Sequence, residues 1–267
     1  MWKKCKLYLS FVKICIRARM MHRGAFIAGM IGQWFLYGSS LITLFIMVDN
    51  FESMGGWRAE QVVFMHGFNL LSYGIAAMVL FKPCKQLSRK VHTGELDASL
   101  TKPLNPLEHE LYLLYNPGHI GHSVLGIVTM ILTGREAGFR LSIVGVSMFL
   151  IMQIGAILMQ SACLILVAVG GFWFVKYNPL WQFVNIGDSY LKYPITIFDG
   201  GIQVLLTIIL PVAFMNFYPV SAILQVENYT IFPAWISYLS PLIGVGLLIF
   251  SIWAWNKSLN RYQSTGS

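Results

Sequence analysis

Aspartate, glutamate, lysine and arginine are absent from six long stretches of this chain. The stretches are residues 24–48, 61–81, 111–134, 141–175, 200–226 and 228–256, each at least 21 residues long. A helix rises about 1.5 Å per residue, so roughly 20 apolar residues cross the ~30 Å hydrocarbon layer of a bilayer. A surface helix of a soluble domain keeps one polar stripe toward water, and runs of this length leave no room for one. The pattern predicts an all-α polytopic membrane protein with six transmembrane helices. Residues 1–267 form a single transmembrane domain, because the longest polar stretches are only the first 23 residues and residues 82–110.

Two of the runs are not simple rods. Residues 141–175 make 35 residues without a charge. Such a helix either projects into the cytoplasm or breaks at Gly170-Gly171. The fifth run contains Pro211 and Pro219, which cannot continue a regular helix. Its reading is a span over 200–211 followed by short re-entrant or interfacial outer helices over 212–233. Irregular backbone at membrane depth is tolerated only where protein or water shields it.

Composition sharpens this picture. The chain is 56% hydrophobic and 11% charged, against about 25% charged residues in a typical soluble domain. Disorder is excluded by the same figures, since disordered chains are charge-rich and apolar-poor. The net charge of +8 raises the question of nucleic acid, and the placement of the charges answers it. With a cytoplasmic N-terminus, sixteen Lys and Arg residues fall on the inside and only Arg58, Arg135 and Arg140 fall outside. Lys176 and Lys192 are counted together in the third inside loop. This asymmetry places both termini in the cytoplasm and makes the lipid bilayer, not nucleic acid, the partner of the basic residues.

A signal peptide fits the basic start poorly. Its positive residues continue to Arg23, and no A-x-A-like cleavage site follows. Residues 7–20 mix Leu7, Phe11 and Ile14 with Lys13, Arg17 and Arg19, the pattern of an amphipathic helix at a membrane surface. Cys5, Cys15 and Cys84 fall inside and Cys163 within a span, so no disulfide is expected.

Sequence motifs exclude several chemistries. There is no G-x-x-x-x-G-K-[ST] loop for ATP, and no G-x-S-x-G, H-E-x-x-H or C-x-x-C. His119 and His122 stand three apart with no carboxylate or thiol close in sequence, so they read as polarising a helix end near Asn116-Pro117-Gly118 and not as a metal site. Asp199 reads as a residue at the cytoplasmic headgroup level, the alternative being a polar contact in a translocation path. The loop over 82–110, KPCKQLSRKVHTGELDASLTKPLNPLEHE, is the most informative polar segment. Residues 87–91 suit a short amphipathic helix that Gly94 ends, and residues 95–97 start another turn that stops before Pro103 and Pro106. On its residues alone, this loop is either a mechanical contact for a partner or an ordinary solvated loop.

The piece VHTGELDASLTKPL (residues 91–104) resembles the cytoplasmic segment of ABC-2 type permeases. More narrowly, the chain is similar to the six-helix branch of ABC-2 family transporter proteins. KYPITIF (192–198), LPVAFMNFYPV (210–220) and WNKSLNRYQSTGS (255–267) extend the resemblance along the chain in order. It implies the membrane subunit of an ATP-driven exporter in a bacterial cytoplasmic membrane, with residues 1–23 as a connecting helix and 82–110 as the coupling loop. The coupling helix then includes residues 88–100, with Ser88, Arg89, Gly94, Glu95, Leu96, Asp97 and Pro103 at the ATPase contact. Pro211, Phe214, Asn216, Tyr218 and Pro219 would form the outer gate. The implied partners are a cytosolic ABC ATP-binding subunit and a second copy or a paralogous permease. No cofactor is bound directly, ATP and Mg2+ residing on the ATPase. The implied cargo is a small amphipathic molecule, drug, toxin or peptide, and the 14% aromatic content suits it. Two other classes lack their marks in the sequence. An ion-coupled secondary carrier would show buried carboxylates or an inverted repeat, and a membrane-embedded lipid-modifying enzyme would show a polar catalytic cluster at one membrane face.

Overall fold

The computed structural model describes residues 2–50, 53–174, 191–226 and 230–262. Among these residues there is no strand, and ten α-helices carry the fold. In chain order, α1 is Trp2–Met20, α2 is Arg23–Asn50, α3 is Ala59–Thr93, α4 is Leu96–Leu100 and α5 is Pro106–Leu113. They are followed by α6 (Ile120–Ala137), α7 (Ile143–Gly170), α8 (Gly200–Val204), α9 (Phe217–Leu224) and α10 (Ser240–Leu259). Local chemistry sets several starts. The Gln61 side chain accepts the Arg58 backbone N–H at 3.0 Å at the head of α3, and Ser142 Oγ accepts from the Gly145 backbone N–H at 3.0 Å at the head of α7. Each satisfies a donor that a helix start leaves without a partner.

Among the described residues, four helices are long and apolar enough to cross a membrane: Arg23–Asn50, Ala59–Val91, Ile143–Gly170 and Ala234–Leu259, the last being α10 with its preceding turn. The described residues therefore do not supply all six spans read from the sequence as such rods. The third run is divided. Residues 111–113 finish α5, the chain turns at Asn116-Pro117-Gly118, and α6 covers 18 residues with Arg135 and Glu136 in its last turn. The break is built by Asn116, whose side chain accepts from the Gly118 backbone N–H at 3.3 Å, and by Pro117, which lacks an N–H. In the fourth run the helix stops at Gly170, the second of the two outcomes the sequence left open.

The fifth run departs furthest from a rod. α8 opens into a wider π turn over Leu205–Ile209. Together they make a ten-residue piece, Gly200–Ile209, only about 15 Å long. Pro211 follows, then one tight turn at Val212–Met215, then α9, every residue of which is buried. Short helical turns thus follow residue 211, and residues 227–229 of that segment lie outside the described residues.

The two largest clusters of the core lie toward opposite ends of the bundle. At the end carrying α4, Cys84, Leu87, Leu96, Leu107, Leu164 and Trp255 pack together. At the far end, Trp57, Phe64, Leu191, Ile195, Phe214 and Phe217 do so. Phe172 and Leu191 lie at different ends. The Phe172 ring meets Trp255 with centroids 5.2 Å apart, whereas Thr196 Oγ1 donates to the Gly55 carbonyl at 2.8 Å and Asn216 Nδ2 donates to the Leu191 carbonyl. This puts Lys192 at the far end and not at the α4 end, with which the sequence reading grouped it as an inside residue. Lys176 lies outside the described residues, and Lys192 sits with the far-end segment. The polar positions near 192 imitate a solvated loop in the sequence, yet Leu191 and Ile195 on either side of it anchor in the far-end core.

α3 is the central element, packing chiefly on α6 and α7, while α7 packs on α10. The α7–α10 crossing is close because it is made by glycines. A Cβ on Gly155 would stand 2.6 Å from Pro241 Cα, and one on Gly244 would strike the Gly155 carbonyl. Small residues at such crossings let membrane helices approach closely. α2 is peripheral, with 17% of its apolar window buried against 78% for α3. It leaves Ile31, Phe35, Leu36, Ile42 and Ile46 uncovered, a surface suited to lipid or a neighbouring subunit.

Candidate functional site

The loop between α3 and α4 is where the sequence expects a partner contact. The structure brings most of the named residues together there, with one correction. Residues 87–91 are not a separate helix, because α3 runs unbroken past Pro83 to Thr93. Ser88 and Arg89 belong to its last turns, so the contact segment is a helix end plus a short helix and not one helix over 88–100. Gly94 makes the turn with φ +73°, the left-handed conformation that glycine adopts without a Cβ clash. The five-residue α4 follows. Leu96 is fully buried and pins α4 to the core beside Leu87 and Leu107.

The charged residues of this segment differ sharply in setting. Glu95 takes an ion pair from Arg89 at 3.2 Å with both side chains largely in solvent. Pairs of that kind contribute at most about 1 kcal/mol, so both groups stay available to a partner. Asp97 lies close enough to Tyr262 to act on its hydroxyl, whose pKa is raised by burial and then by the Asp97 carboxylate. Pro103 is exposed in the loop leading to α5.

Behind this exposed surface lies a buried polar group that sequence reasoning missed. Glu110, 1% exposed, accepts an ion pair from Lys90 of α3 at 2.6 Å. His109 Nδ1 stands 3.4 Å from the same carboxylate, and Lys102 Nζ stands 3.0 Å from His109 Nε2. Asn105 uses its whole amide. Its Oδ1 accepts from the Leu107 backbone N–H at 3.0 Å, capping α5, and from Trp255 Nε1 at 3.2 Å. Its Nδ2 donates to Asn256 Oδ1 at 2.9 Å. The sole signal in the sequence is Asn105-Pro106, a helix-start pair, which says nothing of the reach across 150 residues to α10.

α1 docks on the same end. Tyr8 and Phe11 lie against Tyr112 with centroids 5.9 and 6.1 Å apart, and Arg19 donates to Asn116 Oδ1 at 3.2 Å. Burial here, with Tyr115 and Cys15 adding to it, holds the Tyr8 hydroxyl pKa above its usual value. The outer face of α1 keeps Leu9, Ile14 and Met20 exposed among its basic residues, which suits an interfacial helix.

The residues expected at the outer gate gather at the far end. Phe214, Asn216 and Tyr218 are buried, as is Pro219, and Pro211 stands just before them. Asn216 both starts α9, accepting from the Phe217 backbone N–H at 2.7 Å, and holds the Leu191 carbonyl. Tyr218 and Thr207 hydroxyls are 2.9 Å apart, tying α9 to the π turn. Gln203 donates to the Phe198 carbonyl at 2.9 Å and accepts from the Ile231 backbone N–H at 3.1 Å. The unit is therefore closed by its own polar groups, as non-helical backbone within a membrane requires. Asp199 caps α8, accepting from the Ile202 backbone N–H at 2.9 Å. It lies at the far end, not at the α4 end where the headgroup reading put it.

Between the two ends, Gln160 of α7 donates to Asn69 Oδ1 of α3 at 2.9 Å in a buried bond. His119 and His122 are brought together at the head of α6, rings 5.3 Å apart, with His122 edge-on to Tyr37 and Tyr73. Among the described residues no group of three or more His, Cys, Asp or Glu is placed to hold a metal ion.

The described residues thus form an all-helical bundle with exposed apolar helices, a short helix after Gly94 at one end and a closed broken-helix unit at the other. The model of the ABC-2 family transporter proteins matches residues 35–266, and the chain belongs to that family. It is thus a membrane permease of an ABC transporter, and membership implies association with an ABC ATP-binding subunit. No curated protein and no solved structure matches the chain.

Proposed function

We propose that this permease forms half of the pathway of an ATP-driven exporter in a bacterial cytoplasmic membrane, with the α4 end in the cytoplasm. The observation that carries the reading is the division of labour between the ends: an exposed helical contact built on Gly94 at one, and a self-satisfied broken-helix plug at the other. Charge supports the orientation. Fourteen basic residues belong to elements at the α4 end, against Arg58, Arg135, Arg140 and Lys192 at the far end, the bias that positive charge gives to the cytoplasmic side. Both termini are then cytoplasmic.

In this reading a cytosolic ATP-binding subunit, which holds ATP and Mg2+, contacts Arg89, Glu95 and Asp97. Two permeases, identical or paralogous, pack around a shared pathway. ATP binding drives α4, and the bundle passes between inward-open and outward-open arrangements of different cargo affinity. The unit of Pro211, Phe214, Asn216, Tyr218 and Pro219 closes the outer side. The cargo is a small amphipathic molecule, drug, toxin or peptide.

Affinity purification in mild detergent is expected to bring down an ABC ATP-binding protein, and its consistent absence overturns the reading. Replacing Glu95→Arg together with Asp97→Arg is expected to lower ATP-driven transport at least about tenfold, equivalent to ~1.4 kcal/mol of lost coupling, with the folded yield unchanged. Unaltered transport by that double variant refutes the assignment of α4 as the ATPase contact.

A further inference from the structure

The loop after α4 and the start of α5 are held to α3 and α10 by polar contacts of two kinds, and α4 joins them through the buried Leu96, which packs with Leu87, Leu107 and Trp255. Toward α3, the chain Lys90–Glu110–His109–Lys102 runs from the end of α3 through α5 into the loop after α4, with the Glu110 carboxylate 1% exposed. Removing one member of a buried pair strands the other charge in a poorly solvated site, so α3 and α5 resist separation. Toward α10, Asn105 holds both Trp255 and Asn256 at 3.2 and 2.9 Å. Trp255 is fully buried and shares one apolar cluster with Leu87, Leu96 and Leu107. In contrast, the Arg89–Glu95 pair is solvated and holds nothing in place.

We propose that Lys90, Glu110, Asn105 and Asn256 form a clamp that makes α4 move as one body with the ends of both α3 and α10. A push on α4 therefore reaches two distant spans at once. Asn105 and Glu110 are positioning residues in this device, acting through α4 and not on any ligand. The part of α3 in the clamp lies beyond Pro83, which gives α3 no backbone donor at that point and so a place to bend when the clamped end moves. The inference rests on α4 being the ATPase contact.

Hydrogen–deuterium exchange of the full chain in lipid nanodiscs tests the clamp without any ATPase. Asn256→Leu changes an exposed residue and leaves the Asn105 cap of α5 intact. The expected result is faster exchange, by about tenfold, in residues 101–111 and 84–93 together with the end of α10. Asn256→Asp keeps an acceptor for Asn105 Nδ2 and is expected to retain the original protection. Glu110→Gln is expected to loosen the same segments. Because that variant leaves Lys90 unpaired and lowers stability, the exchange of charges Lys90→Glu with Glu110→Lys provides a second comparison and is expected to recover protection. Faster exchange confined to the mutated helix overturns the clamp, as does an Asn256→Asp chain indistinguishable from the Asn256→Leu chain. Those failures leave the ATP-driven reading standing. Conversely, a chain that shows the shared response but purifies without an ATPase refutes that reading and leaves the mechanical unit intact.

Discussion

Glu95 and Glu110 look alike in the sequence, two acids in one polar loop, and the fold gives them opposite settings. Glu95→Ala removes a solvated partner of Arg89 and is expected to change stability by less than about 1 kcal/mol. Glu110→Ala leaves the partly buried Lys90 without its partner and is expected to cost more, about 1–3 kcal/mol. Denaturant unfolding of the detergent-solubilised protein separates the two. At Gly94 the argument is conformational. With φ at +73°, Gly94→Ala is expected to lose about 1 kcal/mol, and Gly94→Asn less, since asparagine tolerates the left-handed region. The special role of Gly94 was legible, because a glycine between two helical patterns marks a helix end. The role of Glu110 was not, because burial is a property of the surroundings.

Helices in this protein owe their form to unequal causes. α4, with five residues, is far too short to be stable alone, and burial of Leu96 and Ser99 holds it in place. α8 and its π turn stop after ten residues because Pro211 ends the hydrogen-bond ladder. The prolines made that break legible in the sequence. The Gly155–Gly244 contact was not legible, since glycines are scattered throughout the chain and only the crossing of α7 with α10 selects these two. Gly155→Leu is expected to force the helices apart at a cost of about 1–3 kcal/mol, read as a lower melting temperature and a smaller monodisperse peak in size-exclusion chromatography. Gly246, which meets nothing within 4 Å, serves as the comparison and is expected to accept Ala with little change.

For the whole molecule, the proposed orientation rests on the difference between the two ends of the bundle. Ala98 and Ile197, both exposed, are placed at opposite ends, and each can be replaced singly by cysteine. In a chain freed of Cys5, Cys15, Cys84 and Cys163, a membrane-impermeant thiol reagent added to intact cells is expected to label the Ile197→Cys variant. It is expected to label the Ala98→Cys variant only after permeabilisation. Equal labelling of both from outside contradicts the two-ended arrangement.

The sequence by itself determined the solvent of this protein and the pieces of its fold. Long charge-free runs can be satisfied only in lipid, glycine and proline fix where helices turn, and the family match extends along residues 35–266. Only the tertiary structure decided which polar residues meet and at which end each segment lies. Lys192 and Asp199 carry charges that suit either membrane face, and it is Leu191, Ile195 and Thr196, packed against the far-end core and Gly55, that assign them. Likewise Asn105 and Asn256 are ordinary loop and helix-end residues until folding brings them to 2.9 Å. Periodicity reports the environment of a segment one turn at a time, whereas a contact between distant segments depends on how every intervening helix packs.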